Sequence, residues 1–158
     1  LREGLGKDQF IPYFQPLIDA ASGRMVGAEA LLRWQRPDQV ISTRHFIQAA
    51  EHSGLIDEIG LRILNSACRA AADWRAAGHT HYVSVNISEH QLRNPAFFNH
   101  LITALDSAHL DPQALVLELT ESTLMYDPDR VSAFLERVRR LGVRLAIDDF
   151  GTGFSSLS

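Results

Sequence analysis

From residue 81 to residue 149 the sequence alternates apolar runs with helical stretches: YVSVNIS, a stretch opened by Asn94-Pro95, LVLELTE, a second stretch opened by Asp127-Pro128, and RLAIDDF. A run such as LVLEL carries no solvent-facing alternation, so it reads as a strand buried on both faces, which requires helices to cover it. Strand, helix, strand, helix, strand in that order predicts a parallel sheet. Two further strands are predicted at about 9–18 and 24–34, followed by strands at about 81–88, 114–121 and 143–149. The turn from Asp19 to Gly23 is too short for a parallel crossover, so the first two strands are expected to pair antiparallel.

Helix signals fill the gaps. Asn94-Pro95 and Asp127-Pro128 each read as an N-cap followed by proline at the first helical position, where the missing N–H costs nothing. After Asp127, the residues Val131, Phe134, Leu135, Val138 and Leu141 fall on one helical face, and Gly142 offers a left-handed stop. An Ala-rich helix is expected over about 57–77, ending at Gly78, and a shorter one over about 44–52.

Composition narrows the class. With 158 residues, 46% hydrophobic and 22% charged, the chain can bury a core as one domain. Its net charge of -4 argues against long nucleic acid as a partner. No apolar run approaches the length of a membrane span, so no membrane contact is expected from this segment. The single cysteine, Cys68, sits in a helical stretch and reads as packing. The sequence does not begin with methionine, which suggests an excised module of a larger multidomain protein.

Polar groups that are costly to bury recur near the ends of the strands: Glu29 in GAEALLRW, Asn86 in YVSVNIS, Glu118 in LVLELTE, and the pair Asp148 and Asp149 in RLAIDDF. Residues two apart share a strand face, so Glu29, Leu31 and Arg33 line one side while Ala28, Ala30, Leu32 and Trp34 line the other. Asn86 falls with Ser84 and Ser88, and Glu118 with Val116 and Thr120. An isolated strand carboxylate is usually solvated or ion-paired, but the same device on four strands points to a shared cation. Oxygen donors of this kind suit Mg or Mn rather than zinc. Five of them can hold two ions about 4 Å apart, the arrangement used for in-line attack on phosphodiesters.

Other features carry less. The seven histidines lack metal-ligand spacing and read as surface groups. Arg137, Arg139, Arg140 and Arg144 read as solvating a helix end and complementing its dipole. Asp149-Phe150-Gly151 matches a kinase string without a kinase catalytic loop before it, and is accidental.

EALLR (Glu29 to Arg33), preceded by FQP (Phe14 to Pro16) and followed by NIS, ELTE and DDFGTGFSSL, resembles the EAL family of cyclic di-GMP phosphodiesterases from about residue 9 onward. The resemblance implies an α/β fold: a TIM-like (β/α) barrel of the EAL type with an antiparallel first strand, of which the first five strands are present here. It implies hydrolysis of cyclic di-GMP to linear pGpG, in bacterial second-messenger signalling, with two Mg or Mn ions. By matching motif, Glu29, Asn86, Glu118 and Asp148 would ligate one ion, and Asp148 and Asp149 would reach the second. Gln15, Leu31 and Arg33 match nucleotide-contacting positions, and Glu121 matches a glutamate that steadies the loop after Asp149. That loop neighbours a dimer interface in the family, so a homodimer is one expected assembly. An intracellular messenger as substrate implies the cytoplasm.

The family pattern is departed from at Arg36-Pro37, where His-Pro is usual, and in the next loop (PDQVISTRHF), which lacks a common glycine and proline. The family's lysine and aspartate of the next strand, a later glutamate and a terminal glutamine would fall after residue 158. The 158-residue stretch by itself is therefore expected to be catalytically weak or inactive. The alternative reading is a non-catalytic cyclic di-GMP-binding or interaction module.

Overall fold

The computed structural model describes residues 1–120, 123–124 and 127–148. Six strands form one sheet: β1 (Phe10–Ile18), β2 (Met25–Arg36), β3 (Gln39–Ser42), β4 (Tyr82–Asn86), β5 (Leu115–Thr120) and β6 (Arg144–Asp148). Their order is β1-β2-β4-β5-β6, with β3 paired to β2. β1 and β2 are antiparallel, whereas β2, β4, β5 and β6 run parallel. The sheet is open, a partial barrel with β1 and β6 at its edges among the described residues.

Helices α1 (Arg2–Gly6), α2 (Ile47–His52), α3 (Leu55–Ala76), α4 (Glu89–Arg93), α5 (Phe97–Ala108) and α6 (Pro128–Leu141) complete the layer. The main core joins Val83, Val85 and Ile87 with Leu115, Leu117 and Leu119 on one sheet face, against Leu64, Cys68, Leu101 and Val138 from α3, α5 and α6. These are the strand positions that alternate with Asn86 and Glu118, so packing of the helices fixes which way the polar set faces. Cys68 belongs to this core, and burial pushes its thiol up to about 12, which keeps it an inert packing group. A smaller cluster of Leu5, Phe10, Phe46, Ile56 and Ile59 surrounds Trp34 and seats α1 beside the end of β2.

The turn chemistry explains the boundaries. Asp127 caps α6 by accepting from the Arg130 N–H, Pro128 opens the helix, and Gly142 stops it at φ 96°. At Asn94-Pro95 the helix begins later than expected, at Phe97: the Asn94 side chain accepts from the Ala96 N–H and closes a turn ahead of α5. β4 also ends early, at Asn86, because Ser88 leaves the strand to form a capping box with Gln91 at the start of α4. Ser88 therefore does not extend the polar strand face. A sixth strand, β3, was not expected; β2 runs to Arg36 and folds back through Pro37-Asp38 as a hairpin.

The arginines divide. Arg139 and Arg140 lie in the last turn of α6, as the dipole reading expects, and Arg140 pairs with Glu136. Arg137 instead lies 3.8 Å over the Phe98 ring, and Arg144, on β6, lies 4.3 Å over Tyr82. Among the described residues no helix is long and apolar enough to cross a membrane.

Candidate active site

The strand register brings the polar set together on the sheet face away from the main core. Gln15 lies opposite Glu29 across the β1–β2 pair, Glu29 opposite Ser84, and Asn86 opposite Glu118. Asp148 lies opposite Thr120, two residues beyond Glu118 on the same face. A staggered row of Glu29, Asn86, Glu118 and Asp148 thus crosses four parallel strands, in the C-terminal halves of β4, β5 and β6 and at the C-terminal side of the β2 segment that pairs with β4. Catalytic residues of barrel enzymes gather at this end because the βα loops frame it.

Asn86 donates from Nδ2 to Glu29 Oε1 at 2.7 Å, joining β4 to β2. Glu118 is half-buried, and burial pushes its pKa above the ordinary carboxylate value; the nearby Ser84 hydroxyl works in the opposite direction, while the charges of Glu29 and Asp148 raise it further. Glu118 therefore feels carboxylates carried by two other strands. Among the described residues, no three of His, Cys, Asp and Glu converge closely enough to form a ready-made cation cage. Carboxylates repel without a cation between them, and Glu29 takes the Asn86 amide instead. The donors are all carboxylate or amide oxygens, which fits a hard cation such as Mg or Mn.

Arg33 is half-buried at the end of β2, where its guanidinium donates to the Leu32 carbonyl at 2.8 Å. Leu31 borders a mainly apolar cavity of about 430 Å³ that opens beside the polar row, with Asn86 and Thr120 at the strand ends and Ile47, Glu51 and Gln91 on the helices. Asp149 and Glu121 lie outside the described residues. Thr120 and Thr123 share a hydroxyl hydrogen bond of 2.8 Å at the end of β5.

Sequence reasoning placed Ser84 on this face but gave it no role, and it did not find the cavity. Ser84 is fully buried, in register with Glu29 on β2 and with Val116 on β5. Its signal was present as a small hydroxyl inside an apolar run, two residues before Asn86. The cavity left no such signal, because it forms where α2, α3 and α4 meet the strand ends.

The EAL domain family profile matches residues 1–158. The chain belongs to the EAL domain family. Its sequence is 41% identical to MucR of Pseudomonas aeruginosa, a bifunctional diguanylate cyclase/cyclic di-GMP phosphodiesterase, over 99% of this chain and 23% of that protein. It is also 41% identical to NbdA of the same organism, a cyclic di-GMP phosphodiesterase, over all of this chain and 20% of NbdA. Among solved structures, the MucR phosphodiesterase in complex with c-di-GMP superposes with a TM-score of 0.93 at 40% identity, covering 98% of this chain and 64% of that one. The EAL chain thus spans about a fifth of the length of these curated relatives. In this EAL fold the antiparallel β1 and the parallel strands that follow form part of the barrel, as the sequence reading anticipated.

Proposed function

We propose that this EAL domain is a metal-dependent phosphodiesterase that hydrolyses cyclic di-GMP to linear pGpG. The observation that carries the reading is the row of Glu29, Asn86, Glu118 and Asp148 on one face of four adjacent parallel strands. Oxygen donors gathered at the C-terminal side of a barrel sheet suit a divalent ion and an anionic substrate. The likeness to the MucR phosphodiesterase supports the choice of cyclic di-GMP.

In this reading Glu29, Asn86, Glu118 and Asp148 would hold one Mg or Mn ion, and Asp148 with Asp149 would reach a second. When bound, such ions supply Lewis-acid charge to a phosphodiester and make water nucleophilic at neutral pH. Arg33 exchanges its bond to the Leu32 carbonyl for a phosphate oxygen, to which the guanidinium fork is matched. Gln15, on the exposed edge strand beside Glu29, offers its amide to the nucleotide, and Leu31 gives the apolar wall. Addition of water to one phosphorus with cleavage of one P–O ester bond opens the ring to the linear dinucleotide. The Asn86–Glu29 bond orients Glu29 before any ion arrives.

The test is turnover of cyclic di-GMP with Mn²⁺ or Mg²⁺ by the complete protein that carries residues 1–158, since that stretch by itself is expected to be weak or inactive, followed by chromatography of the products. Linear pGpG formed by the wild type and abolished by Glu29→Ala is the expected result. Binding of cyclic di-GMP without any metal-stimulated product would overturn the enzyme reading in favour of a binding module.

A further inference from the structure

Ser84 is the most deeply buried polar side chain on the sheet face that carries the acidic row, with 0% exposure. Its Oγ makes no hydrogen bond of good geometry to any described group. A buried hydroxyl left in this way costs free energy that alanine would avoid. Its neighbours along the strand, Val83 and Val85, are apolar and fill the opposite face. Packing alone therefore gives no reason for a serine here.

Its position does. Ser84 is in register with Glu29 on one side and Val116 on the other, and Glu118 follows Val116 by two residues on the same face. On that face Ser84 thus stands beside the Glu29 position of β2 and next to the stretch of β5 that carries Glu118. Glu118 stands diagonally across from it on the neighbouring strand, two residues beyond its register partner Val116. A rotation of χ1 directs the Oγ–H toward a Glu118 oxygen, since a serine hydroxyl is free to turn.

We infer that Ser84 is a positioning residue, donating a hydrogen bond that holds the Glu118 carboxylate turned toward the divalent ion. This rests on the metal-dependent reading above. Ser84 touches neither ion nor substrate; it leaves one Glu118 oxygen oriented for ligation by engaging the other. Hydrogen bonds of this outer kind to ligating carboxylates are typically worth about 10-fold to 100-fold in metal affinity.

The experiment is Mn²⁺ binding by the full chain, wild type and Ser84→Ala, followed by electron paramagnetic resonance of free Mn²⁺, with urea unfolding of both metal-free proteins alongside. The expected result is a loss of about 10-fold to 100-fold in Mn²⁺ affinity with unfolding stability held or raised. Mn²⁺ affinity within about twofold of wild type overturns the inference and leaves the metal reading intact. Loss of affinity together with loss of stability also overturns it, since the serine then acts through packing. A wild type that binds no Mn²⁺ overturns the metal reading, and this inference with it.

Discussion

The Asn86 amide donates to the Glu29 carboxylate at 2.7 Å across the parallel pair of β2 and β4. The bond ties together two residues that lie 57 apart in sequence, and it holds Glu29 at one end of a row completed by Glu118 and Asp148. It orients the carboxylate without neutralising it.

Asn86→Ala should therefore impair the site twice, by deleting a donor oxygen and by releasing Glu29. Loss of an outer or inner ligand contact commonly costs about 10-fold to 100-fold in metal affinity or activity. Titration calorimetry with Mn²⁺ and steady-state hydrolysis of cyclic di-GMP should both show a loss at least that large, with the thermal midpoint nearly unchanged because Asn86 is exposed.

Glu118 gives a pH signature. Its pKa is raised in the fold, chiefly by burial and further by Glu29 and Asp148. A raised carboxyl contributes stability that is fully present below its ordinary value of 4.5 and is lost as pH rises through the folded value. Glu118→Gln should accordingly stabilise the metal-free protein at pH 7, and the difference should vanish near pH 4, where both side chains are neutral. Urea melts at the two pH values, without divalent ions, check this; equal effects at both would show that the charge is not the cause.

Gly60, within α3, tests the packing of α4. An alanine in mid-helix normally gains about 1 kcal/mol over glycine. Here its Cβ would stand 2.1 Å from the Gln91 amide nitrogen, and that side chain is locked in the Ser88 capping box and buried. Displacing it breaks the cap and strands a buried amide, a cost of about 1–3 kcal/mol. Gly60→Ala should be net destabilising by about 1 kcal/mol, read as a lower urea midpoint at constant slope.

Leu117 is fully buried at the centre of β5, between strand neighbours and the helical layer. Leu117→Ala removes its methyl groups and leaves a cavity, at a cost of about 2–5 kcal/mol. Chemical denaturation should show that loss, whereas Val40→Ala on the exposed hairpin should stay within about 0.5 kcal/mol of wild type.

Arg33→Lys keeps the charge and removes the planar fork. If Arg33 grips a phosphate, cyclic di-GMP affinity should fall about tenfold or more while Mn²⁺ affinity is retained. A parallel loss of both would place Arg33 in the metal centre rather than on the nucleotide.

Much of this protein could be read along the chain, because the features concerned are local. Apolar runs with period two, Asp127-Pro128 before an amphipathic stretch, and Gly142 after it each act through adjacent backbone groups and need no distant partner. The short Asp19–Gly23 turn likewise dictated an antiparallel first pair. The polar face was legible for the same reason: alternation within a strand assigns Glu29, Asn86 and Glu118 to sides once one side must be buried.

What the tertiary structure decided is register and depth. Sequence could not tell that Glu29 sits opposite Ser84 while Asn86 sits opposite Glu118, because stagger between parallel strands is set by how α3 and α5 pack on the sheet. It could not tell that Ser88 would leave the face to cap α4, since strand and cap both accept a serine and only the competition between them selects one. Nor could it give Ser84 its meaning. Burial and charge proximity are properties of the space between strands, and they exist only after residues far apart in sequence have been brought side by side.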